Sequence, residues 1–342
     1  MKKFGITFIM AAALCIDSAA ALPFKFDLNQ FSINPELYAL KPDLSVSFET
    51  GTAGIGVGLE SRLNQYFGVR TSFTWVPHFE VPLHFKIQVG DDDNPGYDNQ
   101  GRSRFDRMAE ELEELTGFNI DQQVDMIGEP CMYNFKMLID IYPFKDKRWH
   151  FTTGFYAGPS VIARANNSTE DMTTLIAAAM YNNIYDNVYD SRHNDDLEPH
   201  GVLKGVGLTS DITNKLLDAG RMGMHVGDFK SKTDGKGNPV RYMMEPDEDN
   251  MVKAEMVTDS FKPYLGAGFN GQVSKNDERL RFSIDCGIMF WGGSPKVYTH
   301  DGTEIVHDLT NLNHQIDKYV KMVRPFKVFP VLNITLTYRL LE

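Results

Sequence analysis

The feature that most constrains this chain is a strict two-residue alternation of apolar and polar side chains, held over long stretches. Near the C-terminus Phe326, Val328, Pro330, Leu332, Ile334, Leu336, Tyr338 and Leu340 fall on one face, and Lys327, Phe329, Val331, Asn333, Thr335, Thr337 and Arg339 on the other. A helix of period 3.6 cannot hold such a set on one side, whereas a strand turns successive side chains to opposite faces. The pattern recurs in residues 279–291, 261–273, 149–161, 133–142, 67–75 and 53–60, and more briefly in Leu44, Val46 and Phe48 with Ser45 and Ser47 between them.

The alternating stretches run about 9–15 residues, against roughly 5–6 for an ordinary strand. A tilted strand that crosses a bilayer needs about 9–11. One unbroken apolar face, with aromatic residues near the strand ends, therefore predicts an all-β transmembrane barrel. A secreted sandwich would also alternate, but in shorter strands. Eight antiparallel meander strands are expected, near 43–50, 52–62, 67–76, 131–143, 149–163, 261–273, 279–292 and 326–340. The third extends through 79–89 if Pro77 and Pro82 are tolerated, and the count rises to ten if Met222–Phe229 or Val240–Val257 enters the wall. Short turns at Leu63–Tyr66, Phe144–Lys147 and Ser274–Glu278 alternate with long segments at 91–130, 164–260 and 293–325. Short inner turns and long outer loops are the habit of outer-membrane barrels, so the long segments are expected to be extracellular.

The first residues fit that compartment. Lys2 and Lys3 precede an apolar run, Phe4–Leu14, and Ser18-Ala19-Ala20-Ala21 offers a cleavage site. Residues 1–21 thus read as a signal peptide, residues 22–42 as a periplasmic N-terminal segment and 43–342 as a barrel in the bacterial outer membrane. Mean hydropathy is −0.31, and beyond the leader no apolar run approaches the ~20 residues of a spanning helix. Cys131 and Cys286 both fall in predicted strands far apart in the chain and are expected to be unpaired.

Net charge is −12, and −13 without the leader, which argues against nucleic acid as a partner, since phosphate contacts need clustered Lys and Arg. The acidity is localised. Residues 91–130 hold twelve acids and three bases, and residues 164–260 hold seventeen and ten. Helical spacing appears in both, at Phe105, Met108, Leu112 and Leu115, and at Asp171–Val188 with Ser168 or Thr169 as cap; Asn311–Val323 forms a third such stretch. Asp91-Asp92-Asp93-Asn94 and Glu245–Asn250 cluster oxygen ligands, but neither has a calcium loop's spacing, so both are read as solvated acidic turns.

The polar strand faces carry charges of both signs. Glu60, Arg62, Arg70, Lys136, Asp140, Lys262, Arg281, Asp285, Lys327 and Arg339 are the candidate lumen network, with Glu49 and Arg279 on the same faces. An eight-stranded barrel is just wide enough for side chains to fill, and buried charges must be paired. A packed lumen is therefore expected, with a narrow ion path as the alternative. Enzyme signatures such as G-x-S-x-G, H-E-x-x-H or a P-loop do not occur. His150 and Ser160 share a strand face but lie roughly 33 Å apart along it, so no catalytic pair, cofactor or metal is expected.

The order of several motifs resembles a known family. Gly54-Ile55-Gly56-Val57-Gly58-Leu59-Glu60 leads into Asn64-Gln65-Tyr66-Phe67-Gly68-Val69-Arg70. Phe135–Phe144 is followed by Trp149–Gly158, Lys262–Phe269 and the closing Phe329–Arg339. This resembles the small outer-membrane β-barrel proteins of Bacteroidetes over the strands, about half of the mature chain. Such barrels usually end in Tyr-Arg-Phe, which the barrel-assembly machinery reads; here Tyr338-Arg339-Leu340 is followed by Leu341-Glu342. The resemblance implies a location and a fold and carries no catalytic residues. The expected role is a non-enzymatic barrel, embedded in outer-membrane lipid, that is structural or presents acidic loops to an extracellular ligand or protein. A narrow pore or transport barrel gated by the loop helices is the alternative, and an outer-membrane lipid-modifying enzyme a more distant one.

Overall fold

A computed structural model of the chain describes residues 43–90, 96–117, 119–193, 210–274 and 277–341. The expected signal peptide 1–21, the N-terminal segment 22–42 and the acidic run Asp91–Asn94 lie outside the described residues. Chain order is β1 (Leu44–Gly51), β2 (Gly54–Arg62), β3 (Phe67–Trp75), β4 (Val81–Val89), α1 (Arg104–Thr116), β5 (Gln123–Pro130), β6 (Tyr133–Ile141), β7 (Trp149–Ala157) and β8 (Val161–Asn167). It continues through α2 (Met172–His193), α3 (Ser210–Ala219), β9 (Met222–Thr233), β10 (Pro239–Met244), β11 (Lys253–Val257), β12 (Phe261–Gln272) and β13 (Leu280–Met289). The last elements are β14 (Lys296–Thr299), α4 (Ile305–Asp308), β15 (Leu309–Thr310), α5 (His314–Val323) and β16 (Phe329–Leu341).

Eight strands close into a barrel, in the order β1-β16-β13-β12-β7-β6-β3-β2. Every contact between neighbours is antiparallel, and closure is made by β1 on β16, with Ser47 opposite Thr337. The alternation decides the facing. In β16 Leu332, Ile334, Leu336, Tyr338 and Leu340 are exposed, while Val331, Asn333, Thr335 and Thr337 are buried. The other seven wall strands follow the same rule, so their outer faces form one apolar band that includes Phe48, Val57, Phe135, Phe151, Leu265 and Ile334. Aromatic residues edge it, with Trp75, Tyr133 and Phe261 toward one end and Trp149, Phe151 and Phe144 toward the other. So large an exposed apolar surface is incompatible with water and is the outer face of a transmembrane barrel. Among the described residues no helix is long and apolar enough to cross a membrane.

The two ends differ. Leu44 and Leu341, which pair with each other, stand at the same end as the turns 63–66, 142–148 and 273–279. The segments 76–132, 158–260 and 290–328 all rise from the opposite end. They are not loops with occasional helices. They build a second sheet, ordered β10-β9-β4-β5-β8-β11-β14 with β15 on β9. This head has its own core, in which Ile87, Val124, Met126, Met222, Met224 and Val226 of the sheet pack with Leu175, Ala178 and Tyr181 of α2 and Ile316 and Val320 of α5.

Several sequence boundaries are thereby corrected. Residues 79–89 do not extend the third wall strand but form β4 of the head. The last wall bond there is Val76 N–H to Met132 O, 2.9 Å, and Pro77, with no N–H to give, ends the ladder. The predicted strand 149–163 is likewise two strands, split at Gly158-Pro159-Ser160 into β7 in the wall and β8 in the head. Met222–Phe229 and Val240–Val257 do not enter the wall; they lie in β9, β10 and β11. Three predicted helices are present as α1, α2 and α5. Ser103 caps α1 by accepting from Asp106 N–H, while the Asp106 carboxylate accepts from Ser103 N–H, a reciprocal pair that satisfies two otherwise orphaned donors. Barrel and head join through Met132, Ile162 and Trp291, packed against Val76, Met256 and Phe329.

Candidate functional site

Inward positions of non-adjacent strands meet in the lumen. Arg70 of β3 is the centre. Its Nε is 2.7 Å from Asp140 Oδ2, and its Nη1 and Nη2 are 3.0 and 2.9 Å from the two oxygens of Asp285. Thr152 Oγ1 donates to Asp140 Oδ1 at 2.7 Å, and Ser283 Oγ to Asp285 Oδ2 at 2.6 Å. His150 Nε2 lies 2.8 Å from Asp285 Oδ1. All six side chains are buried. In such a setting each carboxylate needs its partners, because an uncompensated buried charge costs several kcal/mol.

The meeting of His150 and Asp285 depends on Gly268. In register Gly268 lies between them, opposite His150 on β7 and Asp285 on β13. A Cβ at Gly268 would stand 2.5 Å from both His150 Nε2 and Asp285 Oδ1. The missing side chain is the space in which the two groups bond.

A second layer lies toward the head. Lys136 pairs with Glu49, Ser72 Oγ donates to Glu49 Oε1 at 2.6 Å, and the Lys136 ammonium stands 5.6 Å from the Tyr156 ring centre. Alongside these two layers Tyr156, Tyr264, Leu138, Met289 and Val331 form an apolar cluster, with Leu138 opposite Arg70 and Tyr156 opposite Lys136 in register and the two tyrosine rings edge to face at 5.5 Å. Charged and apolar groups together therefore fill the head-side half of the lumen.

The turn-side half is open. A cavity of about 610 Å³ reaches from the barrel end to Arg70, lined by Asp43, Glu60, Arg62, Asp140, Arg281 and Arg339 among others. Glu60 accepts from Thr337 Oγ1 at 3.0 Å. Arg281 reaches Asp43 at 3.4 Å, and Arg62 covers the Tyr142 ring at 4.2 Å.

The ten candidate lumen residues thus divide. Arg70, Asp140 and Asp285 form the central cluster, and Lys136 the next layer. Glu60, Arg62, Arg281 and Arg339 line the open vestibule. Lys262 is fully buried but lies apart, 3.4 Å from Asn134 Oδ1 and from Pro159 O. Lys327 is a correction: it is exposed and precedes β16, because the chain rejoins the wall only at Phe329 after passing α5. Sequence reasoning placed Glu49 and His150 on inward faces but gave neither a partner. The signal it lacked was which strands face each other across a closed barrel.

The acidic segments are mostly built into the head. Arg221 is clamped by Asp186 and Glu245, and the hydrogen bonding it donates to the Glu245 carboxylate is the main reason its pKa is raised further. Asp98 accepts from the Arg102 and Gln100 N–H groups and pairs with Arg102 at 3.0 Å, and Asp247 ties the 245–250 turn by accepting from Asp249, Met251 and Lys253. Among the described residues His78, Glu80 and Glu129 converge, with ligand atoms within 4.8 Å of one another, but they are solvated side chains that already pair loosely at 3.8 and 3.9 Å. Cys131 and Cys286 are free thiols. Ser160 lies in the link after β7, and its carbonyl accepts from Thr258 N–H.

No protein-family model and no curated protein matches this chain. Among solved structures it is similar to Acinetobacter baumannii CarO2, at 13% identity over 88% of this chain and 99% of that one, with a TM-score of 0.36. Acinetobacter baumannii CarO is similar at 11% identity over 90% and 100%, also with a TM-score of 0.36. A major outer membrane protein from Thermus thermophilus follows at 9% identity over 87% and 99%, with a TM-score of 0.26. At these values no residue role is carried across, and the barrel rests on its own strand pairing.

Proposed function

We propose that the protein is an integral outer-membrane anchor, a plugged barrel that holds a folded head at the cell surface for binding. The observation that carries this reading is the closure of the lumen by Arg70, Asp140, Asp285 and His150, backed by Glu49 with Lys136. A barrel filled in this way has no continuous water path, so the folded mass gathered at one end is what remains to do the work. The outer apolar band supports a bilayer setting, and the leader-like residues 1–21 support export. The gathering of long segments at one end supports an outward-facing head. The motif order supports a place among the small outer-membrane barrels of Bacteroidetes, assembled by the barrel-assembly machinery.

The test is surface labelling. In a background with Cys131→Ser and Cys286→Ala, a Lys236→Cys variant at the tip of the β9–β10 hairpin is expected to react with an impermeant maleimide on intact cells. An Asp146→Cys variant in the opposite turn is expected to react only after lysis. The reverse pattern would overturn the orientation, and extraction without detergent would overturn the anchor. The vestibule of about 610 Å³ favours a narrow pore as the second reading, and that reading requires Arg70 to leave Asp285.

A further inference from the structure

Two cations stand together at the turn end of the barrel without a carboxylate between them. Arg62, the last residue of β2, and Lys147, in the turn from β6 to β7, both line the vestibule of about 610 Å³. Both side chains are half-buried. The Arg62 guanidinium lies 4.2 Å over the Tyr142 ring and donates from Nη2 to Lys147 O at 3.2 Å. The Lys147 ammonium stands 3.9 Å over the Tyr66 ring and donates to Tyr142 O at 3.1 Å. Rings and carbonyls thus hold both heads in place, but they do not neutralise them.

Among the described residues no carboxylate forms an ion pair with either group. Arg70, Arg281 and Arg339, which line the same cavity, each have one: Arg70 meets Asp140, and Arg281 and Arg339 share Asp43. The crowding is felt at Lys147, whose pKa is lowered by burial and then by the Arg62 charge beside it. Lys147 also holds φ at +52°, a left-handed conformation that glycine or asparagine adopts with less strain. The backbone of this turn therefore does not call for lysine; what the position supplies is its ammonium.

Two adjacent positive charges at a cavity that ends on Arg70 match a phosphate monoester, which carries about −2 near neutral pH. The planar fork of a guanidinium and the compact charge of an ammonium are both suited to phosphate oxygens. The cavity has the volume of an ordinary small-molecule site and leaves room for the esterified group beside Tyr142. We propose that the vestibule binds a phosphate monoester, with its phosphoryl group between Arg62 and Lys147. This goes beyond display by the head and is independent of whether the lumen conducts.

The test is calorimetric titration of inorganic phosphate into the full chain in phosphatidylcholine nanodiscs, with ionic strength held constant by chloride. Saturable binding is expected, weakened about tenfold or more by Arg62→Gln and by Lys147→Gln, each of which removes a charge-assisted hydrogen bond. Lys145→Gln removes an exposed cation of the same turn that lies outside the cavity and is expected to change nothing. Dimethyl phosphate, a monoanion, is expected to bind about tenfold more weakly than phosphate. Heat-modifiable migration confirms that each variant is folded. Phosphatidic acid carries the same group on a lipid: competition when it is added to the discs assigns a lipid source, and undiminished binding of free phosphate assigns a soluble one. No saturable binding by the wild-type chain, or binding that survives both Arg62→Gln and Lys147→Gln, would overturn the proposal. An equal loss in Lys145→Gln would overturn it as well, since it would mark a general attraction of anions. Dimethyl phosphate binding as tightly as phosphate would overturn the monoester assignment.

Discussion

Arg70 and Asp285 meet end-on across the lumen, with two parallel bonds of 3.0 and 2.9 Å, although β3 and β13 are separated in the barrel by β6, β7 and β12. A planar guanidinium suits this two-point contact as an ammonium does not. Arg70→Met would leave Asp140 and Asp285 buried without their cation. Such breaks cost about 3–5 kcal/mol, and urea unfolding from lipid vesicles is expected to show a loss of that size. Adding Asp140→Asn and Asp285→Asn to the same chain is expected to recover much of it.

Gly268 gives a prediction of a different kind. With Asp285 Oδ1 and His150 Nε2 both 2.5 Å from where its Cβ would stand, Gly268→Ala must push the pair apart. A cost of about 1–3 kcal/mol is expected, in the range of overpacked cores. Gly235→Ala, with nothing within 4 Å, is expected to leave the unfolding midpoint unchanged.

The wall was legible because each of its strands has one face in lipid and one in the lumen, and burial of that kind writes itself as alternation. The head sheet has no such code. In β9, Met222, Gly223, Met224, Val226 and Gly227 are all buried, so both faces are covered and the period of two disappears. Helices α1 and α2 were readable from 3.6-residue spacing because each packs one stripe on the sheet. In the site, the inward positions of Arg70 and Asp285 followed from parity along each strand. Their pairing did not, since it depends on which strands lie opposite after closure. Lys327 failed for a local reason: the alternation of β16 continues two residues past the last wall position.

Placement in lipid predicts an asymmetry between two exposed apolar residues. Ile334 is 53% exposed in the middle of β16, and Ile176 is 40% exposed on α2 in the head. Ile334→Arg is expected to cost about 2–4 kcal/mol of folding into bilayers. Ile176→Arg is expected to stay within about 0.5 kcal/mol, as at an ordinary surface position. Chemical unfolding of both variants in vesicles compares them.

The head is also expected to be acid-sensitive. Asp98 and Asp234 have pKa values lowered from 3.8, chiefly by backbone N–H groups from Arg102 and Asn238. For Asp247 burial is the largest influence and opposes the shift, but hydrogen bonds from Lys253 and Met251 outweigh it and lower the pKa. A lowered carboxylate pKa stabilises the fold above its unfolded value, and that stability is lost as pH falls through the folded value. Asp171 has the opposite sign, its pKa raised by burial. Asp125 and Asp301 are lowered like the first three, Asp125 chiefly by its hydrogen bond with His84 and Asp301 despite its burial, which hydrogen bonds from Thr299 and Thr303 outweigh. With five lowered groups against one, near-ultraviolet circular dichroism is expected to show the head loosening below about pH 4, while the far-ultraviolet strand signal of the wall persists.

The central claim is that the lumen is shut, and planar-bilayer recording of the purified full chain tests it most directly. The expected result is no steady conductance above background. Stable open-channel currents from the wild-type protein, carried at neutral pH and persisting without added denaturant, would contradict the plugged barrel and favour the pore.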